Sequence, residues 1–97
     1  MVTWTNSARS DLHKIYAYIA DYSRYYAQKV KNDILDLSET LANFPNKGRV
    51  VPEADRSEIR EVLIYSYRVI YKVKAQNILV LMVLHSRRDL MASQIPR

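Results

Sequence analysis

Cysteine is absent from this chain, and glycine occurs once, at Gly48, beside three prolines. Without thiols there are no disulfides and no thiolate-rich metal sites, which fits a reducing cytosolic compartment. With so little glycine, few tight left-handed turns are available, so most of the chain must lie in regular elements. Long hydrophobic runs are missing too. The longest purely apolar stretch, Ile78 to Leu84, suits a buried strand and is far too short to span a bilayer. The opening Met1-Val2-Thr3-Trp4-Thr5 lacks the basic head and apolar core of a signal peptide. There is no metal-ligand cluster, phosphate loop or nucleophile triad, so no cofactor is expected. These absences predict a soluble, cytoplasmic protein with no membrane partner.

What is present is a globular balance, 48% hydrophobic and 26% charged, over 97 residues, enough for one domain. The net charge of +5 is unevenly placed. Residues 1–44 are neutral, so residues 45–97 carry the whole excess. An imbalance of this kind points to a polyanionic or acidic partner, although it also serves solubility.

Val2 to Thr5 alternates apolar and polar and predicts a short edge strand. Asn6 or Ser7 can cap the helix that follows, predicted over 8–21 from the spacing of Ala8, Leu12, Ile15, Tyr16 and Ile19. Asp21 or Ser23 can cap a second helix, whose stripe is Ala27, Val30, Ile34, Leu37 and Leu41 and whose end falls near Asn43, ahead of Pro45. The short linker makes the two helices an antiparallel hairpin. Residues 44–57 read as a loop, with Gly48 at a left-handed turn. Three strands follow, 59–64, 67–73 and 78–85. The predicted class is α+β in the order β-α-α-β-β-β, an antiparallel sheet with the hairpin packed on one face. The other face is expected to be uncovered and to carry Arg60, Arg68 or both, depending on register.

The pattern Trp4, Ala8, Asp11-Leu12, Ile15, Tyr18-Ile19 resembles the opening of ParE-type toxins, in the ParE/RelE superfamily of type II toxin–antitoxin and plasmid stabilisation systems. The resemblance continues through Phe44-Pro45, Gly48-Arg49-Val50-Val51-Pro52-Glu53, Ile59-Arg60-Glu61, Tyr67-Arg68-Val69-Ile70-Tyr71 and Val83-Leu84-His85-Ser86-Arg87-Arg88-Asp89. It implies a toxin neutralised by a cognate antitoxin, with which it could form a hetero-oligomer. ParE-like members poison DNA gyrase, whereas RelE-like members are ribosome-dependent endonucleases of messenger RNA.

The nuclease alternative needs a base, an acid and cations around one phosphate. Glu53, His85 and Arg68 could fill those roles, and Arg60, Arg68, Arg87 and Arg88 could hold a target or nucleic acid. Each also has a plain reading: Arg68 as a partner of Glu61 alone, His85 as a group bonded to backbone, and Glu53 as a solvated charge. RelE-like nucleases are lysine-rich on the first meander strand and carry a tyrosine near the C-terminus. Here that strand reads Ile59-Arg60-Glu61-Val62-Leu63-Ile64, and no tyrosine follows Tyr71. The departures favour a non-catalytic toxin directed at gyrase. The alternatives are an mRNA endoribonuclease and a non-toxic basic interaction module.

Overall fold

Each stretch at helical or strand spacing forms the element its periodicity predicts, and the computed structural model, which describes residues 1–87 and residue 95, adds one short strand. The elements are β1 (Val2–Trp4), α1 (Asn6–Ala20), α2 (Arg24–Thr40), β2 (Arg49–Val50), β3 (Ile59–Ile64), β4 (Tyr67–Lys74) and β5 (Asn77–His85). They build a five-stranded sheet in the order β1-β5-β4-β3-β2. The meander β3-β4-β5 is antiparallel, as expected. The sheet as a whole is mixed rather than antiparallel, because β1 runs parallel to β5.

Helix α1 begins two residues earlier than predicted because its cap is Thr5, not Asn6 or Ser7. The Thr5 hydroxyl accepts from the Ala8 N–H at 3.0 Å and donates to the Leu81 carbonyl at 2.9 Å, so one side chain both caps the helix and fixes it to the sheet. Ser23 caps α2 by accepting from the Tyr26 N–H. Helix α2 ends at Thr40, and turns carry the chain on to Pro45.

The hairpin lies on one sheet face. Ala8, Leu12, Val30, Ile34 and Leu41 meet Val62, Val69, Tyr71, Ile78, Val80 and Val83, with Leu37 half-buried against them. A β-bulge in β5, opposite Ile70 and Tyr71, shifts its alternation, so Val80 and Val83 both reach this face. The opposite face is not uncovered. Val51, Ile59, Ile70, Leu81, Leu84 and Ile95 form a second apolar cluster there. Strand β2 explains the difference: by pairing Arg49 with Glu61 and Val50 with Arg60, it lays Val51 and Ala54 over that face.

Gly48 is not a left-handed turn residue either; among the described residues the positive φ angles belong to Asp55 and Tyr65. Gly48 is needed for closeness. A Cβ there would overlap the Glu61 carbonyl and lie 2.8 Å from the Tyr71 hydroxyl. That buried hydroxyl accepts from the Gly48 N–H at 3.0 Å and donates to the Pro45 carbonyl at 2.8 Å, stapling the loop to β4. Burial raises the Tyr71 pKa above the usual tyrosine value.

Tyr71→Phe strands the Gly48 N–H and should lower stability by about 1–3 kcal/mol in urea unfolding. Gly48→Ala should cost a similar ~1–3 kcal/mol through overpacking. Because the folded pKa of Tyr71 is raised, its contribution is complete below about pH 10 and is lost as pH rises through the folded value. The Phe variant should therefore lose less stability than the parent between neutral and strongly alkaline pH, keeping a residual slope from Tyr67, whose pKa burial also raises. Equal alkaline slopes would show that the Tyr71 hydroxyl is not the group being titrated.

Candidate functional site

The register of β3 on β4 decides where the arginines point. Leu63 pairs with Arg68 and Arg60 with Tyr71, so the two arginines lie on opposite faces. Arg60 shares the helix-side face with Tyr71 and donates through Nη1 to the Gly48 carbonyl at 2.8 Å. Arg68 lies on the second face, with a side chain only 6% exposed.

Arg68 is one link in a chain of ion pairs. Its Nε meets Glu61 at 2.6 Å, and its two terminal nitrogens fork onto Glu53 at 3.0 and 3.1 Å. The other oxygen of Glu61, whose side chain is 0% exposed, takes Arg49 Nε at 2.5 Å. Burial works against the Arg68 charge, yet the hydrogen bonds to Glu53 and Glu61 outweigh it and raise its pKa above the ordinary guanidinium value. Both oxygens of Glu53 are thus engaged by a guanidinium, a poor arrangement for a general base. The Arg68–Glu61 pair was legible in the sequence; the part played by Arg49 was not, because it depends on the two-residue strand β2.

His85 is elsewhere. It pairs with Tyr67 across the sheet, on the helix-side face, with ring centroids 6.1 Å apart. It is exposed at the end of β5, and its Nδ1 accepts from the Arg87 N–H at 3.2 Å. The structure thus brings Glu53 and Arg68 together and leaves His85 on the other side of the sheet. Arg87 is exposed beside His85, and Arg88 lies outside the described residues. Among the described residues no His, Asp and Glu group is arranged to hold a metal ion, and no helix is long and apolar enough to cross a membrane.

Around His85 the hairpin and the sheet enclose a surface rich in tyrosine. A groove of about 640 Å³ runs between the hairpin and the β4–β5 end, with Ile15, Val30 and Val83 among its apolar lining and Tyr18, Tyr26, Tyr65 and Tyr67 among its aromatic lining. Tyr22 and Tyr25 stand 81% and 82% exposed, and Tyr18 packs edge-on to Tyr22 at 5.9 Å. Tyr65, at positive φ in the β3–β4 turn, stacks edge-on against Tyr26 and donates to Asp33 on α2. That hydrogen bond lowers the Asp33 pKa and raises that of Tyr65. The available signal in the sequence was that residues 18, 25 and 26 fall off the apolar stripes of their helices, with Tyr22 in the turn between them.

The ion chain makes a stability prediction. Glu61→Ala leaves a buried guanidinium short of one carboxylate and should cost about 3–5 kcal/mol in urea unfolding. Glu61→Leu combined with Arg68→Met should recover most of that loss, since apolar side chains suit the adjoining cluster. If the double variant were as unstable as Glu61→Ala, the penalty would not come from an uncompensated charge.

A family model described as the ParE toxin of the type II toxin–antitoxin system parDE matches residues 2–90. Among solved structures, a chain from the chromosomal ParDE toxin–antitoxin system of P. aeruginosa is similar with a TM-score of 0.71 at 24% identity, covering 87% of this chain and 92% of that one. A chain from the RelBE2 toxin–antitoxin complex of Mycobacterium tuberculosis has a TM-score of 0.66 at 19% identity, covering 88% of this chain and 95% of the other. At such identities the structural likeness is one of fold, and among curated proteins no sequence matches. Because the family match spans residues 2–90 of 97, the chain belongs to the ParE toxin family of type II toxin–antitoxin systems.

Proposed function

We propose that this ParE-family chain is a non-catalytic toxin directed at DNA gyrase and held in check by a cognate antitoxin. One observation carries the choice against RNA cleavage: Glu53 and Arg68 lie on one sheet face and His85 on the other. Acid–base cleavage needs a base, an acid and a cation gathered around one phosphate, and this distribution speaks against such a gathering. Arg68 is also committed to two carboxylates and buried, so its charge is spent inside the fold. Gyrase as the target follows from the family resemblance. The separated triad favours that reading over the ribosome-dependent endonuclease.

The antitoxin reading draws support from the tyrosine-rich end. Tyrosines combine large contact area with a polar tip, and exposed clusters of them suit protein interfaces. The groove of about 640 Å³ beside them has an apolar lining that an ordered segment of a partner could cover. The solved neighbours are described as toxin–antitoxin systems, which agrees with a partner of this kind.

Purified toxin should inhibit supercoiling by gyrase from the native host or trap gyrase-cleaved DNA, and His85→Ala should arrest growth as fully as the parent. Unchanged supercoiling, together with new 5′ ends inside reading frames after induction, would establish the nuclease alternative instead. Absence of growth arrest on expression without a partner would leave only the non-toxic module. Saturating antitoxin should raise the melting temperature, since a ligand at one hundred times its Kd adds about 2.7 kcal/mol. Identical melting curves with and without excess antitoxin would rule out neutralisation by direct binding.

A further inference from the structure

A second groove, of about 660 Å³, lies beside β1, the terminal strand of the sheet. Arg9, His13 and Tyr16 recur on one side of α1, and Gln28, Lys31 and Leu35 on one side of α2; these two faces line it together with Trp4 of β1. Val2 and Leu12 complete the apolar part. The volume falls in the range of small-molecule sites.

Two features distinguish this lining. It contains two aromatic rings, and Lys31 Nζ already stands over the Tyr16 ring, 5.6 Å from its centroid. It also contains no carboxylate. Among the described residues neither Arg9 nor Lys31 forms an ion pair, in contrast to Lys29, which meets Asp33 one helical turn away. The sequence shows the reason. The positions three and four residues from Arg9 are Thr5, Asn6, Leu12 and His13, and those around Lys31 are Ala27, Gln28, Ile34 and Leu35. If the two cations were there only to keep a helix surface soluble, acidic neighbours at that spacing would stabilise the helices as well. Their absence leaves two uncompensated cations facing a partly apolar, aromatic cleft.

We propose that this groove binds a nucleoside phosphate, with the base against Trp4 and Tyr16 and the phosphate between Arg9 and Lys31. A π-face with adjacent cations is the combination that nucleotides require. His13 and the Gln28 carbonyl oxygen supply hydrogen-bonding groups for the base or sugar, the Gln28 amide nitrogen being donated to Asn32. The same chemistry is presented by a free nucleotide and by one residue of a single strand. The proposal does not depend on the gyrase or antitoxin reading, and its test uses neither protein.

Trp4 is the only tryptophan in the chain, so its fluorescence reports on this groove alone. The purified full chain would be titrated at low ionic strength with AMP, with an oligothymidylate and with inorganic phosphate. Saturable quenching by AMP identifies the free nucleotide as the source, and quenching by the oligonucleotide alone identifies the strand. The double variant Arg9→Ala and Lys31→Ala, its fold checked by circular dichroism, should bind about tenfold more weakly or worse, through loss of charge-assisted hydrogen bonds. Lys47→Ala, in the loop before β2, should bind as the parent does. The proposal is overturned by absence of saturable quenching with either nucleotide ligand, by unchanged affinity in the double variant, or by an equal response to phosphate alone.

Discussion

Side chains on a strand alternate between two faces, and that parity constrains every charged group in this sheet. Once Val69 and Tyr71 are drawn under the helices, Arg68 has to point the other way, and its neighbours there are set by pairing: Leu63 and, one step along, Glu61. On β5 the same rule puts Leu84 with Arg68 and turns His85 toward Tyr67. Arg68 and His85 therefore start from opposite faces of the sheet. The apolar stripe of the helical hairpin therefore controls the chemistry indirectly. It fixes which residues face inward, and the residues next to them in sequence are forced outward.

A guanidinium forced onto the second face needs a reason to stay there. A buried arginine is costly unless its donors are met, and here Glu61 and Glu53 meet them. Glu53 is in reach because β2 turns the loop back over the sheet, and β2 is held in turn by the close approach of Gly48 and the Tyr71 hydroxyl. The loop, the ion chain and the second apolar cluster thus form one interdependent assembly.

The helices and the meander were legible because their signals are periodic and long. Ile34 and Leu41 fall on an apolar stripe, and the Ile78–Leu84 run could only be an interior strand. What escaped the sequence is whatever depends on contacts between distant segments. Arg49–Val50 is too short to have a period, and its pairing is visible only beside β3. The faces of Arg60 and Arg68 were undetermined because a one-residue change of register exchanges them. Thr5 was passed over as a cap because Asn6 and Ser7 are equally good local candidates, and only the Leu81 carbonyl distinguishes it. Of the candidate site, the Arg68–Glu61 pair could be foreseen from adjacent strands, whereas the separation of His85 required the pairing itself.

Net charge gives a further lesson about reading function from composition. Residues 45–97 carry the whole excess of +5, which pointed to a polyanionic or acidic partner. In the folded chain Arg49, Arg56 and Arg68 each sit on a carboxylate, and Arg60 is turned to a backbone carbonyl. Lys47, Lys74 and Arg87 in that segment form no ion pair among the described residues, and neither do Arg9, Lys14, Arg24 and Lys31 in the formally neutral half. Attraction at a surface depends on cations left uncompensated within about a Debye length, not on a total for a segment. By that measure Arg9 and Lys31, which line one groove in the formally neutral half, count toward a local positive surface that a segment total conceals.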